Sequence, residues 1–206
     1  MQNSTKNEKK VRGRPRAYDA DQAMADATDA FWQAGYSGTS LDALSAAMGM
    51  NRPSLYGAFG DKHALYLSTL DRYVEDGLKA MEAALASSSS LAKALQRVYD
   101  TALALYLPAH AEPRGCFLIG TATVEAKVDA EVRAKLADGL RTFDHAFERR
   151  LKRAQAEGEL AAAADPAALA RVASAILHSL ALRSRAGDTP ASLRGTAAAG
   201  VALICG

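Results

Sequence analysis

Cysteine is scarce in this 206-residue chain: only two occur, Cys116 and Cys205, far apart and without the paired spacing of a zinc knuckle or a disulfide framework. That scarcity favours a reducing compartment, and the cytoplasm is the expected location. Histidine and the acids offer no metal site in its place, because His110, Glu112, Cys116, His145 and His178 are scattered without ligand spacing. No metal or other cofactor is expected. Long uncharged apolar runs are missing as well. Arg194 interrupts the alanine-rich C-terminal stretch and no apolar segment follows the charged N-terminus, so neither a membrane span nor a secretory leader is expected. No nucleophile, paired carboxylate or phosphate loop stands at a useful spacing, which argues against an enzyme. Strand-like alternation is absent too, leaving an all-α fold with length enough for a substantial core.

What is there reads as about nine helices behind a basic arm. Asp19 and Gln22 have the form of a capping box before a helix that repeats Ala23, Met24, Ala27, Ala30, Phe31 and Ala34, with Gly35 closing it. Thr39 or Ser40 caps a short helix burying Leu41, Leu44 and Ala47. Met48-Gly49-Met50 is a tight turn, and Asn51 caps a third helix with Pro53 in its first turn and Leu55 and Phe59 inward. Asp61 then caps a helix from Lys62 to Leu85. After the serine loop 87–90, a fifth helix from Leu91 to Leu107 carries Leu91, Leu95, Val98, Ala102 and Leu105 on one face. Cys116 to about Ala126 reads as a buried helix. A long helix opened by Asp129 follows, with the stripe Val132, Leu136, Leu140, Phe143, Phe147 and Leu151 and charges at its other positions. Two last helices begin at Pro166 and Pro190, behind the capping residues Asp165 and Thr189.

The short pair joined by a glycine-containing turn has the dimensions of a helix-turn-helix, whose second helix enters the major groove. With Leu55 and Phe59 turned inward, Asn51, Arg52, Ser54, Tyr56 and Gly57 point away from the core, a set suited to bases and phosphates rather than a plain solvated face. Residues 18 to 66 resemble the DNA-binding domain of the TetR family of bacterial regulators. The resemblance rests on Ala30-Phe31-Trp32-Gln33-Ala34-Gly35-Tyr36, Thr39-Ser40-Leu41-Asp42-Ala43-Leu44, Met48-Gly49-Met50-Asn51 and Ser54-Leu55-Tyr56-Gly57-Ala58-Phe59-Gly60-Asp61-Lys62. It implies that Thr39 donates to a phosphate, that Arg52 and Ser54 face base edges, that Tyr56 touches backbone or a thymine methyl, and that Lys62 holds a phosphate. Gly57 and Ala58 are small where many relatives carry larger side chains, which shifts the readout towards Arg52. The implied organisation is a disordered basic arm over 1–17, a three-helix helix-turn-helix domain over 18–64, and a helical ligand-binding and dimerisation domain over 65–206.

Charge divides along these lines. The formal net charge is only +2, yet the arm holds Lys6, Lys9, Lys10, Arg12, Arg14 and Arg16 against Glu8 alone. From Tyr18 to Lys62 the balance reverses: Arg52 and Lys62 face Asp19, Asp21, Asp26, Asp29, Asp42 and Asp61. Such a body repels a polyanion, so the arm is expected to supply most non-specific affinity. Arg12-Gly13-Arg14-Pro15 resembles an AT-hook core, a slender arginine-flanked strand suited to a narrow A·T minor groove.

In the C-terminal half, Leu169, Val172, Ile176 and Leu180 on one helix and Leu193, Ala197, Val201 and Ile204 on the next are candidate pairing stripes. The family resemblance implies a homodimer through helices 166–185 and 190–205, and a small-molecule effector among the middle helices that favours the state off DNA. Tyr99, Leu103, Tyr106, Cys116, Phe117, Phe147 and His178 are the candidate lining of that site. Cys116, after Gly115 at a helix start and beside Arg114, has the setting of a thiol whose anion a helix dipole stabilises. The expected function is a repressor on a palindromic double-stranded DNA operator, released by a small-molecule or thiol-reactive effector. The alternative is an architectural, A·T-preferring DNA-binding protein without an effector.

Overall fold

The computed structural model describes residues 18–109 and 112–206; Arg12, Arg14 and Arg16 of the expected arm fall outside them. Side-chain capping starts the helices. Asp19 Oδ1 accepts the backbone N–H of Asp21 at 2.9 Å and of Gln22 at 3.3 Å, opening α1 (Ala20–Gly38). Gln22 does not complete a capping box; its Nε2 donates one turn ahead to Asp26 Oδ1 at 2.9 Å. Gly35 closes the regular run of α1, as expected. At φ 72° and ψ 173° it kinks the backbone, and a final turn runs on to Gly38. Ser40, not Thr39, caps α2 (Leu41–Ala47), accepting from Ala43 N–H at 3.0 Å. Gly49 at φ 61° reverses the chain, and Asn51 Oδ1 accepts from Ser54 N–H at 2.9 Å to start α3 (Arg52–Phe59). Asp61 opens α4 (Lys62–Ala86) in the same way.

The remaining elements are α5 (Leu91–Tyr106), a π-helical segment (Leu118–Ala122) continued by one turn, α6 (Thr123–Glu125), then α7 (Ala130–Ala156), α8 (Pro166–Arg185) and α9 (Pro190–Cys205). The described residues thus form an all-α fold without a strand. No helix among them is long and apolar enough to cross a membrane.

Three expectations need correction here. On α5, Leu105 is exposed and Ala102 only half-buried, whereas Tyr99, Leu103 and Tyr106 are buried. Helices α4, α8 and α9 all pack on α5, so more than one side of it is covered. The stretch after Cys116 is a wide π turn, not a regular helix; its extra residue per turn buries Phe117, Leu118, Thr121 and Ala122, and Tyr66 Oη donates to Thr121 Oγ1 at 2.8 Å. The α9 stripe Leu193, Ala197, Val201 and Ile204 lies with Leu180 in the core of this chain, where α9 packs on α5 and α8. Outward apolar side chains on these two helices are Val172, Leu182 and Leu203.

An aromatic seam joins the N-terminal helices to the body. Phe31 meets Tyr66 edge-on with ring centroids 5.0 Å apart, Trp32 meets Tyr73 at 5.3 Å and Phe117 at 5.5 Å, and Tyr73 meets Phe117 at 5.6 Å. These rings sit on α1, α4 and the residue before the π segment, so movement of any one presses directly on the others.

Candidate nucleic-acid interface and internal cavity

Leu44 of α2 and Leu55 of α3 are fully buried, which fixes the outward face of the pair. Phe59 is half-buried against Tyr18, with centroids 6.0 Å apart. Asn51, Arg52, Ser54 and Tyr56 are exposed together on the opposite side, Tyr56 by 46%. A Cβ added at Gly57 would meet nothing within 4 Å, so that face is open beside Tyr56. Arg52 is held in place: its Nε and Nη2 donate to Asp42 Oδ1 at 3.0 and 2.7 Å, from the first residue of α3 to the first turn of α2.

Two of the expected phosphate donors look different in the structure. Thr39 is buried, and its hydroxyl donates inward to the Gly35 carbonyl at 2.6 Å, so it does not offer a donor to a phosphate. It closes the kink left by Gly35 instead. Lys62 is half-buried with its Nζ 4.3 Å over the Tyr36 ring; burial lowers its pKa, which nearby Glu125 partly opposes.

A cavity of about 460 Å³ opens between α1, α4, α5, α7 and α8. Tyr106, Cys116 and His178 line it, as expected. Tyr99, Leu103, Phe117 and Phe147 do not. Tyr99 is buried elsewhere, donating to the Ala173 carbonyl at 3.1 Å and packing on Phe147. Phe117 lies in the aromatic seam, and Leu103 faces a separate hollow beside Pro190 and Arg194. The walls that the sequence did not point to are Trp32 on α1, Tyr73 and Met81 on α4, and Phe143 on α7. Phe143 belonged to a legible core stripe, but nothing in the period of α1 distinguishes a cavity wall from core.

Chemistry at the closed end centres on Cys116. Its thiol is buried, and burial pushes its pKa up; backbone N–H groups of Ile119 and Leu118 and the hydroxyls of Tyr73 and Tyr106 oppose that shift. Tyr73 Oη donates to Sγ at 3.2 Å. The resting group is therefore the thiol. Arg114 is not the expected partner of the sulfur: its guanidinium lies 4.0 Å over the Trp32 ring and donates to Asp29 at 3.1 Å. His178 Nδ1 is sealed without a hydrogen-bond partner among the described residues, and burial lowers its pKa, with Asp144 opposing, which favours the neutral imidazole. At the mouth, Arg72 joins Asp21 at 2.8 Å to Asp76 at 3.0 Å. Asp21 and Asp29 thus belong to the cavity rim, where each is paired with an arginine from outside residues 18 to 62.

Comparison with known proteins matches residues 24–69 to a family model described as bacterial regulatory proteins, tetR family, and residues 91–199 to one described as tetracyclin repressor-like, C-terminal domain. The HTH-type transcriptional repressor ComR of Escherichia coli (strain K12) is 31% identical over 184 residues, 89% of this chain and 88% of that protein. Among solved structures, the TetR family transcriptional regulator CifR, a double cysteine mutant complexed with 26 bp operator DNA, superposes with a TM-score of 0.80 at 30% identity, covering 92% of this chain and 98% of that one. The reduced form of E. coli NemR has the same fold, with a TM-score of 0.78 at 18% identity over 90% and 97% of the two chains.

Proposed function

The chain belongs to the TetR family of bacterial transcriptional regulators, and from that premise we propose that it is a homodimeric repressor of a palindromic operator, released when a small molecule occupies the cavity of Tyr106, Cys116 and His178. The observation that carries the DNA half is the exposed row Asn51, Arg52, Ser54 and Tyr56 over buried Leu44 and Leu55. Helix α3 presents it as a major-groove reader requires.

A palindrome needs two copies one or more helical turns apart. The outer faces of α8 and α9 supply the pairing surface, with Val172, Leu182 and Leu203 exposed among small residues that admit close helix approach. In gel filtration with light scattering, the full-length chain is expected to run as a dimer and Leu203→Glu as a monomer. The same substitution lowers affinity for a palindrome selected from a randomised duplex library. A monomeric wild type with full operator affinity would overturn the pairing.

Removing residues 1–16 tests the arm. Each phosphate neutralised contributes about 0.9 to the slope of log K against log salt, so the deletion is expected to flatten that slope by several units and weaken all duplexes. An unchanged slope places the phosphate contacts elsewhere.

A second reading, a thiol-reactive effector, is favoured by one observation: two phenol hydroxyls and two backbone N–H groups converge on Cys116. The same donors would hold the anion as the sulfur loses its proton to a reactive ligand. Cys116→Ser keeps a small polar group there. With a thiol-reactive effector, this variant stays on operator DNA at reagent concentrations that release the wild type; with a reversibly bound effector, both are released alike.

A further inference from the structure

On the reading that α3 enters the major groove, we infer that Asp42 is the positioning residue for base recognition: it holds the Arg52 guanidinium in register for one base pair, although its own charge opposes DNA.

The geometry is specific. Arg52 spends its Nε–H and one Nη2 N–H on a single oxygen, Asp42 Oδ1, at 3.0 and 2.7 Å. Five donors are available on a guanidinium. The three left over lie on Nη1 and Nη2, along the end that presents two parallel donors, which is the pattern that matches O6 and N7 of a guanine. An arginine free to rotate loses its rotamer freedom when it meets a base. One already fixed by a carboxylate loses less.

Stability does not explain the pair. The side chains are 53% and 78% exposed, and ion pairs of that kind contribute little to folding. The charge arrangement has a different consequence. Arg52 is the only lysine or arginine between Tyr18 and Asp61. With Asp42 bonded to it, the outward face of the helix pair carries almost no net attraction for phosphate. Asp42 therefore acts on discrimination in two ways: it aims the base-reading donors, and it removes the non-specific pull that an unpaired arginine exerts on any sequence.

The test uses the full-length chain and duplexes selected from a randomised library, each base pair of the winning site then being changed singly. Failure to enrich any site would strike at the DNA-binding reading itself, before Asp42 is tested. Given an enriched site, Arg52→Ala identifies the base pair that Arg52 reads. Asp42→Ala is expected to reduce discrimination at that same pair by about tenfold, the scale of one bidentate contact, while affinity for unrelated duplex rises. Asp42→Asn keeps an oxygen acceptor without the charge: it should retain discrimination to within about threefold of wild type and still raise non-specific affinity. The double variant should discriminate no worse than Arg52→Ala alone. Asp42 is only a repelling surface charge if Asp42→Ala raises affinity for the site and all its single-pair variants in equal proportion, or if it acts at a different base pair; either result overturns the proposal.

Discussion

Gly115→Ala is expected to destabilise the protein by about 4 kcal/mol, the sum of a left-handed backbone strain and an overpacked contact. Gly115 has φ 62°, and a Cβ there would stand 2.6 Å from the Ala181 carbonyl oxygen and 2.9 Å from Arg185 Cγ. A backbone oxygen cannot swing aside. Relief requires α8 to shift away from the turn that carries Cys116, which would also disturb the cavity end. Gly158 separates the two contributions, because its φ is 79° but an added Cβ would meet nothing within 4 Å. Gly158→Ala should therefore cost only about 1 kcal/mol. Urea midpoints of the two variants measure the difference, and equal midpoints would show that α8 yields to the methyl group.

The second large effect concerns a charge hidden inside α7. Arg150 is only 4% exposed; its Nη2 donates to the Ser89 carbonyl at 2.7 Å and to Glu159 Oε1 at 3.2 Å. Its Nε and Nη1 have no partner among the described residues, so Glu159 carries the neutralisation. Removing one member of such a pair leaves a buried charge uncompensated: Glu159→Ala is expected to cost about 3 kcal/mol, and Arg150→Leu in the same chain to restore much of it. Glu159 also accepts the Leu91 N–H at 2.6 Å, at the start of α5. That bond, and then Arg150, hold its carboxyl below the usual glutamate range. The folded state thus takes up this proton less readily than the unfolded chain. The stabilisation is complete above the ordinary glutamate value and is lost as pH falls through the lower folded value. Asp129, held down first by the Val132 N–H and also by His63, contributes with the same sign. Acid titrations of stability should be shallower in Glu159→Gln than in wild type; identical slopes would assign the acid sensitivity to other carboxylates.

Helix starts were legible in the sequence because a cap is local chemistry. Asp19, Asn51, Asp61, Asp129, Asp165 and Thr189 accept from backbone N–H groups two or three residues ahead, and no distant partner is needed. The outward row on α3 was legible for the same reason, since Leu55 and Phe59 orient it. The features that escaped depend on what packs from afar. The π segment is set by its seat against α1, α4, α7 and α8, and a Cβ at Gly120 would come within 2.6 Å of Arg185 Nη1. Arg150 reads as one more charge on a charged helix until Glu159 and Ser89 are folded over it. Trp32 and Asp29 sit in a stretch identified by its resemblance to a DNA-binding domain, yet both face the cavity. The acidity of residues 18 to 62 likewise looked like a general repulsion of DNA. Arg72 and Arg114, both from beyond that stretch, take up Asp21 and Asp29, so the charge that remains towards DNA is smaller than the count indicates.

The position of Trp32 has an optical consequence. It is the only tryptophan in the chain. Its indole N–H is committed to the Arg114 carbonyl at 2.9 Å, a guanidinium covers its face, and its ring meets both Tyr73 and the cavity. Indole emission responds to local polarity and to neighbouring charge, so the unlabelled protein carries its one indole fluorophore, excitable apart from the seven tyrosines, at the place where an occupant would lie. A change in emission on adding a compound, with no DNA in the cuvette, would report filling of the cavity separately from release of the operator.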